Sequence, residues 1–302
     1  MSIETIVVVG CGQMGLGIAE ACASHGKTVR LIKATPGTTE KAEARVQKSL
    51  GKRLQKGKID QAEHDAILGR ISFHTDLVVE DVDLVIESAL EHMETKVSLL
   101  RRLEARMAPG AILASNTSSL PLLELAEAME RPAQFLALHF FNPAQVMKLV
   151  EVGVTESTAP GVIETCKQLC AAIEKTPVIV SASPGYVVNR LLTPYMLHAI
   201  ETLDAGIADA PSVDTAMKLG CGHPMGPLAL ADLIGLDVVR KMAETMGAEL
   251  RDSRYRIPPL LDRLVEAGQL GRKSKLGLYD YRDDPRNPVM NPALAPVPQA
   301  AE

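Results

Sequence analysis

The stretch Thr5-Ile6-Val7-Val8-Val9-Gly10-Cys11-Gly12-Gln13-Met14-Gly15 decides how the rest of the chain is read. Its first five residues are all β-branched, the composition of a strand buried on both faces. Glycines at 10, 12 and 15 follow at once, then a helical pattern over residues 18–24 with Gly26 placed to end it. A strand, a Gly-x-Gly-x-x-Gly loop and a helix in that order make a dinucleotide-binding turn. The first glycine allows the tight turn, the second lets backbone approach a pyrophosphate, and the third lets helix pack on strand. The helix N-terminus adds unpaired N–H groups and partial positive charge. Gly10, Gly12, Gln13, Met14 and Gly15 are therefore the first candidate cofactor-binding residues.

Outward from this turn, residues 28–32 read as a second strand, and residues 82–87, 111–115, 135–138, 148–152 and 177–180 as further strands. Helical patterns separate most of the earlier ones, which predicts an α/β fold with a mostly parallel, doubly wound sheet. After Pro184-Gly185 the texture changes: helical spacing dominates and no strong β run appears. The expected organisation is a Rossmann-type dinucleotide-binding domain over residues 1–183 and an all-helical C-terminal dimerisation domain over residues 184–302. The last twenty or so residues, with five prolines after Asp283, read as a disordered tail.

Bulk properties narrow the function. A chain of 302 residues suffices for two domains, and 46% hydrophobic with 23% charged residues is ordinary globular composition. A net charge of −5 gives no global case for nucleic acid or an anionic membrane. No apolar run approaches the roughly 18 residues of a membrane span. The sequence begins on a strand, without a charged leader or cleavage site. Its five cysteines are scattered, and Cys166 and Cys170, four apart in a helical stretch, read as small core residues rather than metal ligands. No metal site is expected, and a reducing cytoplasm is the expected compartment.

A dinucleotide fold usually ends its second strand, about 20 residues beyond the loop, in an acid that accepts hydrogen bonds from the adenosine ribose. Here Lys33-Ala34-Thr35 stands there. A lysine cannot accept those bonds, but it can pair with a 2′-phosphate. Lys33 is thus a candidate cofactor residue that tilts the NAD(P) choice toward NADP(H). As a plain solvated lysine it leaves NAD(H) in place.

His139 ends a strand and Glu151 lies within the next. If the two strands fold back around Gln145, the two residues are equidistant from the turn. Opposed residues of an antiparallel pair have Cβ atoms about 5 Å apart, near enough for a carboxylate to hold one imidazole nitrogen. That bond fixes the tautomer and leaves the other nitrogen for a substrate. The residues alone favour a structural histidine beside an unrelated glutamate.

Several segments taken together resemble the 3-hydroxyacyl-CoA dehydrogenase family, and most of all its short bacterial members. They are the loop from Gly10 to Gly17, Ala114-Ser115-Asn116-Thr117-Ser118-Ser119-Leu120, His139-Phe140-Phe141-Asn142-Pro143, Met147-Lys148-Leu149-Val150-Glu151-Val152, Pro184-Gly185-Tyr186-Val187-Val188-Asn189-Arg190, His223-Pro224-Met225-Gly226-Pro227 and Gly271-Arg272-Lys273-Ser274. The resemblance implies that His139 is the catalytic acid-base, that Glu151 orients it, and that Ser118 and Asn189 hydrogen-bond the substrate oxygen as charge develops there. It further implies that Glu91, Lys96, Ser118 and Asn142 contact the cofactor. The acid that the family usually carries is absent at Lys33.

Lys41, Arg45, Lys48, Lys52 and Lys56 recur three and four residues apart and share one helical face. A charge run alone is a solvated face. On an acidic protein it also suits the phosphates of coenzyme A, or an acidic acyl carrier protein bearing phosphopantetheine. The resemblance implies that Ser49 and Lys56 touch coenzyme A. The expected function is interconversion of 3-hydroxyacyl and 3-oxoacyl thioesters by hydride transfer. The alternatives are a dehydrogenase for a carrier-bound hydroxyacyl unit or a free sugar acid, and, in another class, a non-catalytic dinucleotide sensor or scaffold. The intact set Ser118, His139, Glu151 and Asn189 argues against the last. Apolar stripes such as Leu191, Leu192, Met196, Leu197 and Ile200 exceed what a small helical core needs, so a homodimer is expected, as is common in the family.

Overall fold

The computed structural model describes residues 2–294. The chain divides into two compact units between Tyr186 and Val187, close to the break expected near Ser183.

The first unit runs β1 (Thr5–Val9), α1 (Gln13–Ser24), β2 (Thr28–Ile32), α2 (Glu40–Gln55), α3 (Gln61–Gly69), β3 (Ile71–His74), β4 (Leu84–Glu87), α4 (Met93–Glu104), β5 (Ile112–Ser115), α5 (Leu122–Glu127), β6 (Phe135–Phe140), β7 (Leu149–Val154), α6 (Pro160–Ala172) and β8 (Thr176–Ser181). Its eight strands form one sheet in the order β3-β2-β1-β4-β5-β6-β7-β8. Every neighbouring pair is parallel except β6 and β7. The sheet explains why β1 is apolar from Ile6 onward: Ile6 and Val8 pack into the core on one face, Val7 and Val9 into the core on the other. Helices on both faces leave no water-facing position for a polar residue.

β3 was not expected. It is an edge strand of four residues in which only Ile71 is fully buried, so it lacks the apolar run that marks its neighbours. The helix before it begins with a local signal, a capping box in which Asp60 and Glu63 satisfy each other's backbone N–H groups.

The second unit comprises α7 (Val188–Asp204), α8 (Ala210–Cys221), α9 (Pro227–Ile234), α10 (Leu236–Leu250) and α11 (Pro259–Glu266). To these helices it adds a two-stranded antiparallel ribbon of β9 (Tyr279–Asp280) and β10 (Val289–Met290). The stretch expected as a disordered tail is therefore anchored as far as Leu294. β10 pairs with β9, and the buried Asn291 donates to Gln269 Oε1 and the Gly277 carbonyl. Residues 295–302 lie outside the described residues.

Two buried carboxylates fasten this unit. Asp214 accepts from the backbone of Leu228 (2.8 Å) and Ala229 (2.9 Å) in the first turn of α9, and from the Tyr279 hydroxyl (2.7 Å). Asp232 accepts from the backbone of Leu278 (2.9 Å) and Tyr279 (2.8 Å), and from the Tyr281 hydroxyl (3.1 Å). No helix among the described residues is long and apolar enough to cross a membrane.

Candidate active site

The three glycines of the loop after β1 stand in three different surroundings. Gly10 has φ +126°, and a Cβ there would lie 2.3 Å from the Ser88 carbonyl oxygen. A Cβ on Gly15 would lie 1.8 Å from the Gly10 carbonyl oxygen, so helix and strand touch through it. A Cβ on Gly12 would meet no atom within 4 Å. Gly12 is the N-cap of α1, and the first turn of that helix holds no acid. Its N–H groups and dipole are thus left for an anion, and the residues fit a dinucleotide pyrophosphate. Gln13 Nε2, in the same turn, donates to Asn142 Oδ1 at 2.9 Å.

Beyond β2, Lys33 is half-buried and turns back on its own loop. Its ammonium donates to the Thr35 carbonyl (2.7 Å), to Thr35 Oγ1 (2.9 Å) and to the Pro36 carbonyl. Its charge still reaches the glycine loop: burial pushes the Cys11 thiol up, while Lys33 and Arg45 pull it back.

At the end of β4, Glu87 is fully buried and accepts from Lys96 Nζ at 2.8 Å on both oxygens, from Ser115 Oγ (2.7 Å) and from the Ala89 N–H (2.7 Å). Lys96, only 1% exposed, also lies 3.3 Å from Glu91. One oxygen of Glu91 accepts from Thr117 Oγ1 (2.6 Å) and from the backbone of Ser118 (3.0 Å) and Ser119 (3.3 Å). Burial pushes the Glu91 carboxyl up, but Lys96 and these donors outweigh it and hold it below the usual carboxylate range. Glu91 and Lys96 thus hold the loop that carries Ser118. Asn116, from the same loop, accepts the Phe140 N–H at 2.9 Å and ties it to the end of β6.

On β6 and β7 the antiparallel register sets His139 opposite Glu151, as the spacing about Gln145 predicts. His139 Nδ1 lies 2.8 Å from Glu151 Oε2, with His139 6% exposed and Glu151 fully buried. A carboxylate accepts, so Nδ1 carries the proton and Nε2 is the basic nitrogen. Phe141 and Tyr186 flank the imidazole, with ring centroids 4.6 Å and 5.6 Å away. Burial, together with Glu91 and Glu151, pushes the Tyr186 phenol up, and its hydroxyl has no hydrogen-bond partner among the described residues.

The turn between β6 and β7 is held from two sides. Gln145 Nε2 donates to Glu20 Oε2 on α1 at 3.1 Å. The buried Lys175, beyond α6, donates to the carbonyls of Ala144 and Met147, each at 2.8 Å. A cleft of about 640 Å³ opens beside this turn, and Gln13, Asn142, Arg45, Lys48, Ser49 and Lys52 are among its lining residues. Lys56 caps α2 and is exposed, and Lys41 is exposed in its first turn.

The first unit thus gathers every proposed site residue except Asn189, which is the second residue of α7 in the other unit. Glu20, Glu87, Asn116 and Lys175 are additions. Of these only Glu87, an acid closing a buried apolar run, carries a local sequence signal.

A parallel doubly wound sheet, a glycine loop fitted to a dinucleotide and a carboxylate-oriented histidine on the same sheet define a nicotinamide-dependent dehydrogenase. Residues 5–183 match the family model for the 3-hydroxyacyl-CoA dehydrogenase NAD binding domain, and residues 185–281 match that for its C-terminal domain. The chain belongs to the 3-hydroxyacyl-CoA dehydrogenase family. It is 43% identical over 277 residues to the 3-hydroxybutyryl-CoA dehydrogenase of Clostridioides difficile, covering 91% of this chain and 99% of that one. A probable 3-hydroxybutyryl-CoA dehydrogenase of Bacillus subtilis is 42% identical over 288 residues, covering 94% and 99%. The crystal structure of (S)-3-hydroxybutyryl-CoA dehydrogenase from Ralstonia eutropha superposes with a TM-score of 0.89 at 39% identity, covering 93% of this chain and 100% of that one.

Proposed function

We propose that the chain interconverts 3-hydroxybutyryl-CoA and acetoacetyl-CoA, with His139 as its acid-base. The observation that carries this reading is the 2.8 Å contact between His139 Nδ1 and Glu151. It commits one nitrogen and reserves Nε2 for a substrate hydroxyl. In the oxidative direction Nε2 takes the proton of the 3-hydroxyl, and Glu151 stabilises the imidazolium that forms. The nicotinamide, when bound, accepts the hydride from C3. In the reductive direction Nε2 returns the proton to the new hydroxyl. Ser118 and Asn189 hydrogen-bond the substrate oxygen, and the loop that presents Ser118 is already fixed by Glu91. Gly10, Gly12, Gln13, Met14 and Gly15 hold the dinucleotide together with Asn142. Glu91, from the loop after β4, and Lys96, from α4, serve it as well.

Arg45, Lys48, Ser49 and Lys52 in the cleft, with Lys56 beyond, receive the phosphates of the thioester. Initial rates with acetoacetyl-CoA, a longer 3-oxoacyl-CoA and a free 3-oxo acid test the substrate. Equal kcat/KM for the free acid would refute it. Lys48→Glu with Lys52→Glu raises KM for acetoacetyl-CoA about tenfold at low salt, and the penalty shrinks as salt screens the phosphates.

For the cofactor, the reading is a modest preference for NADP(H). Its support is the lysine in place of the ribose-binding acid and the charge of Lys33 and Arg45 on the glycine loop. Opposing it, each donor of Lys33 already has a loop acceptor. The preference in kcat/KM is therefore a few-fold, below the tenfold or more of a full charge-assisted contact of about 1.5–3 kcal/mol, and Lys33→Asp reverses it. A strong wild-type preference for NADH would refute this assignment.

The protein acts as a homodimer in a reducing compartment. The dimer is supported by exposed Leu191 (70%) and Leu219 (81%) on the helical unit, and the compartment by the unpaired, buried Cys22, Cys166 and Cys170. A monomer mass by light scattering at micromolar concentration would refute the dimer.

A further inference from the structure

Glu20 takes no part in the chemistry above, yet three elements of the first unit meet on its carboxylate. It stands on α1 and is 1% exposed. Oε1 accepts from Arg53 Nη1 of α2, and Oε2 from Gln145 Nε2 of the β6–β7 turn, each at 3.1 Å. Arg53 also donates to Ser24 Oγ at 3.0 Å, which fixes its guanidinium against α1. Gln145 lies so close to α1 that a Cβ on Gly17 would sit 3.0 Å from its Oε1.

Both partners of Glu20 belong to elements that line the cleft. Arg53 follows Lys52 directly on the helix that carries Arg45 and Lys48, and Gln145 lies three residues from Asn142 on the turn that joins His139 to Glu151. Burying a carboxylate costs several kcal/mol unless charge and hydrogen bonds offset it. An apolar side chain would join α1 to α2 without that cost. What it could not do is link the basic helix to the catalytic turn through directional bonds.

We infer that Glu20 is a positioning residue that couples the basic face of α2 to the β6–β7 turn, so that binding of the substrate's phosphates raises kcat and not affinity alone. The inference rests on the thioester reading given above. Anions drawn to Arg45, Lys48 and Lys52 fix α2. Arg53 is part of that helix, and Glu20 passes its position to Gln145 and hence to the turn between the two catalytic strands. Binding energy from a remote part of a substrate accelerates a reaction only when it is expressed at the reacting centre, and this carboxylate provides the path.

The test compares reduction of acetoacetyl-CoA with that of acetoacetyl-pantetheine, which lacks the nucleotide phosphates, by the full-length enzyme and by Gln145→Ala and Glu20→Ala. Gln145→Ala cuts the path while leaving Glu20 paired with Arg53, so no buried charge is stranded. In the wild type kcat is about tenfold higher with the CoA substrate, the value of one hydrogen bond to a charged group. In both variants that kcat ratio falls to about one, while the lower KM for acetoacetyl-CoA persists. A wild-type kcat ratio retained in Gln145→Ala overturns the coupling. So does a variant that loses the KM advantage along with the kcat ratio, or a wild type whose advantage is in KM alone. A wild type with no advantage in either constant overturns the phosphate reading of α2, and the coupling with it.

Discussion

The buried carboxylates of the two units do opposite things with the same group. Asp214 and Asp232 in the helical unit each accept three hydrogen bonds, from two backbone N–H groups and one tyrosine hydroxyl apiece. Those bonds close a helix N-terminus onto a ribbon, and their donors have nothing further to offer. Glu151 in the sheet unit instead holds one nitrogen of an imidazole, whose second nitrogen is left for another partner. A carboxylate becomes structural or chemical according to its partner: backbone N–H groups end the chain of interactions, and histidine extends it. Glu91 stands between the two cases. It is spent on hydroxyl and backbone donors like the aspartates, but the loop it fixes presents Ser118.

The contrast can be broken most directly at His139. His139→Ala should lower kcat by about two to four orders of magnitude, the usual value of a positioned acid-base, with cofactor affinity near wild type and some loss of stability because the buried Glu151 loses its imidazole partner. The chain has no tryptophan, so reduced-cofactor fluorescence reads affinity without an intrinsic background. Turnover near the wild-type rate would make His139 another structural group. Asp214→Ala should do the reverse. It strands two N–H groups of α9 and the Tyr279 hydroxyl, costing about 3 kcal/mol in urea unfolding, with kcat per folded molecule unchanged. A loss of kcat without loss of stability there would erase the distinction between the units. Glu151→Gln sharpens it: an amide can hold the ring but not its positive charge, so kcat should fall about ten- to a hundredfold, with less loss of stability than Asp214→Ala.

A pH dependence follows from Asp232. Burial pushes its carboxyl up from 3.8 to about 6, against the pull of Leu278, Tyr279 and Tyr281. An acid whose pKa is raised on folding binds its proton more tightly in the native state. Its contribution is therefore fully present below about pH 4 and is lost as pH rises through about 6. The stability difference between wild type and Asp232→Asn should shrink over that window, and a difference that grows instead would show that the bound donors outweigh burial. The smallest effect is expected at Tyr186. Its buried hydroxyl has no partner among the described residues, so Tyr186→Phe should leave the unfolding midpoint unchanged or raise it slightly, by about 1 kcal/mol at most. A clear loss of stability would point to a bound water at that hydroxyl.

The sequence revealed most where the information is local. β1 and the glycine loop are contiguous, and Gly10 and Gly15 each have a steric reason that their spacing already expresses. The pairing of His139 with Glu151 was legible because a hairpin makes register a matter of counting from the turn. β3 was not legible, since an edge strand with one fully buried residue leaves little pattern. Glu20 and Lys175 were invisible for another reason. Their partners lie 125 and 31 residues away, and a single acid or lysine has no periodicity to betray burial. At Lys33 the sequence supplied the cation, but only the structure shows its donors turned onto its own loop.

The lone antiparallel pair in an otherwise parallel sheet also bears on how this chain can vary. Between parallel neighbours, an acid and a histidine would be joined by a crossover of a dozen or more residues, whose length could drift without changing which strand faces which. Here the strands that carry His139 and Glu151 are joined by residues 141–148, most of them exposed. An exposed turn ordinarily tolerates insertion and deletion. In this one, pairing that slips by a single residue carries Glu151 to the opposite face of the sheet, away from the imidazole. Lineages that keep the chemistry should therefore differ freely in the composition of this turn but not in its length.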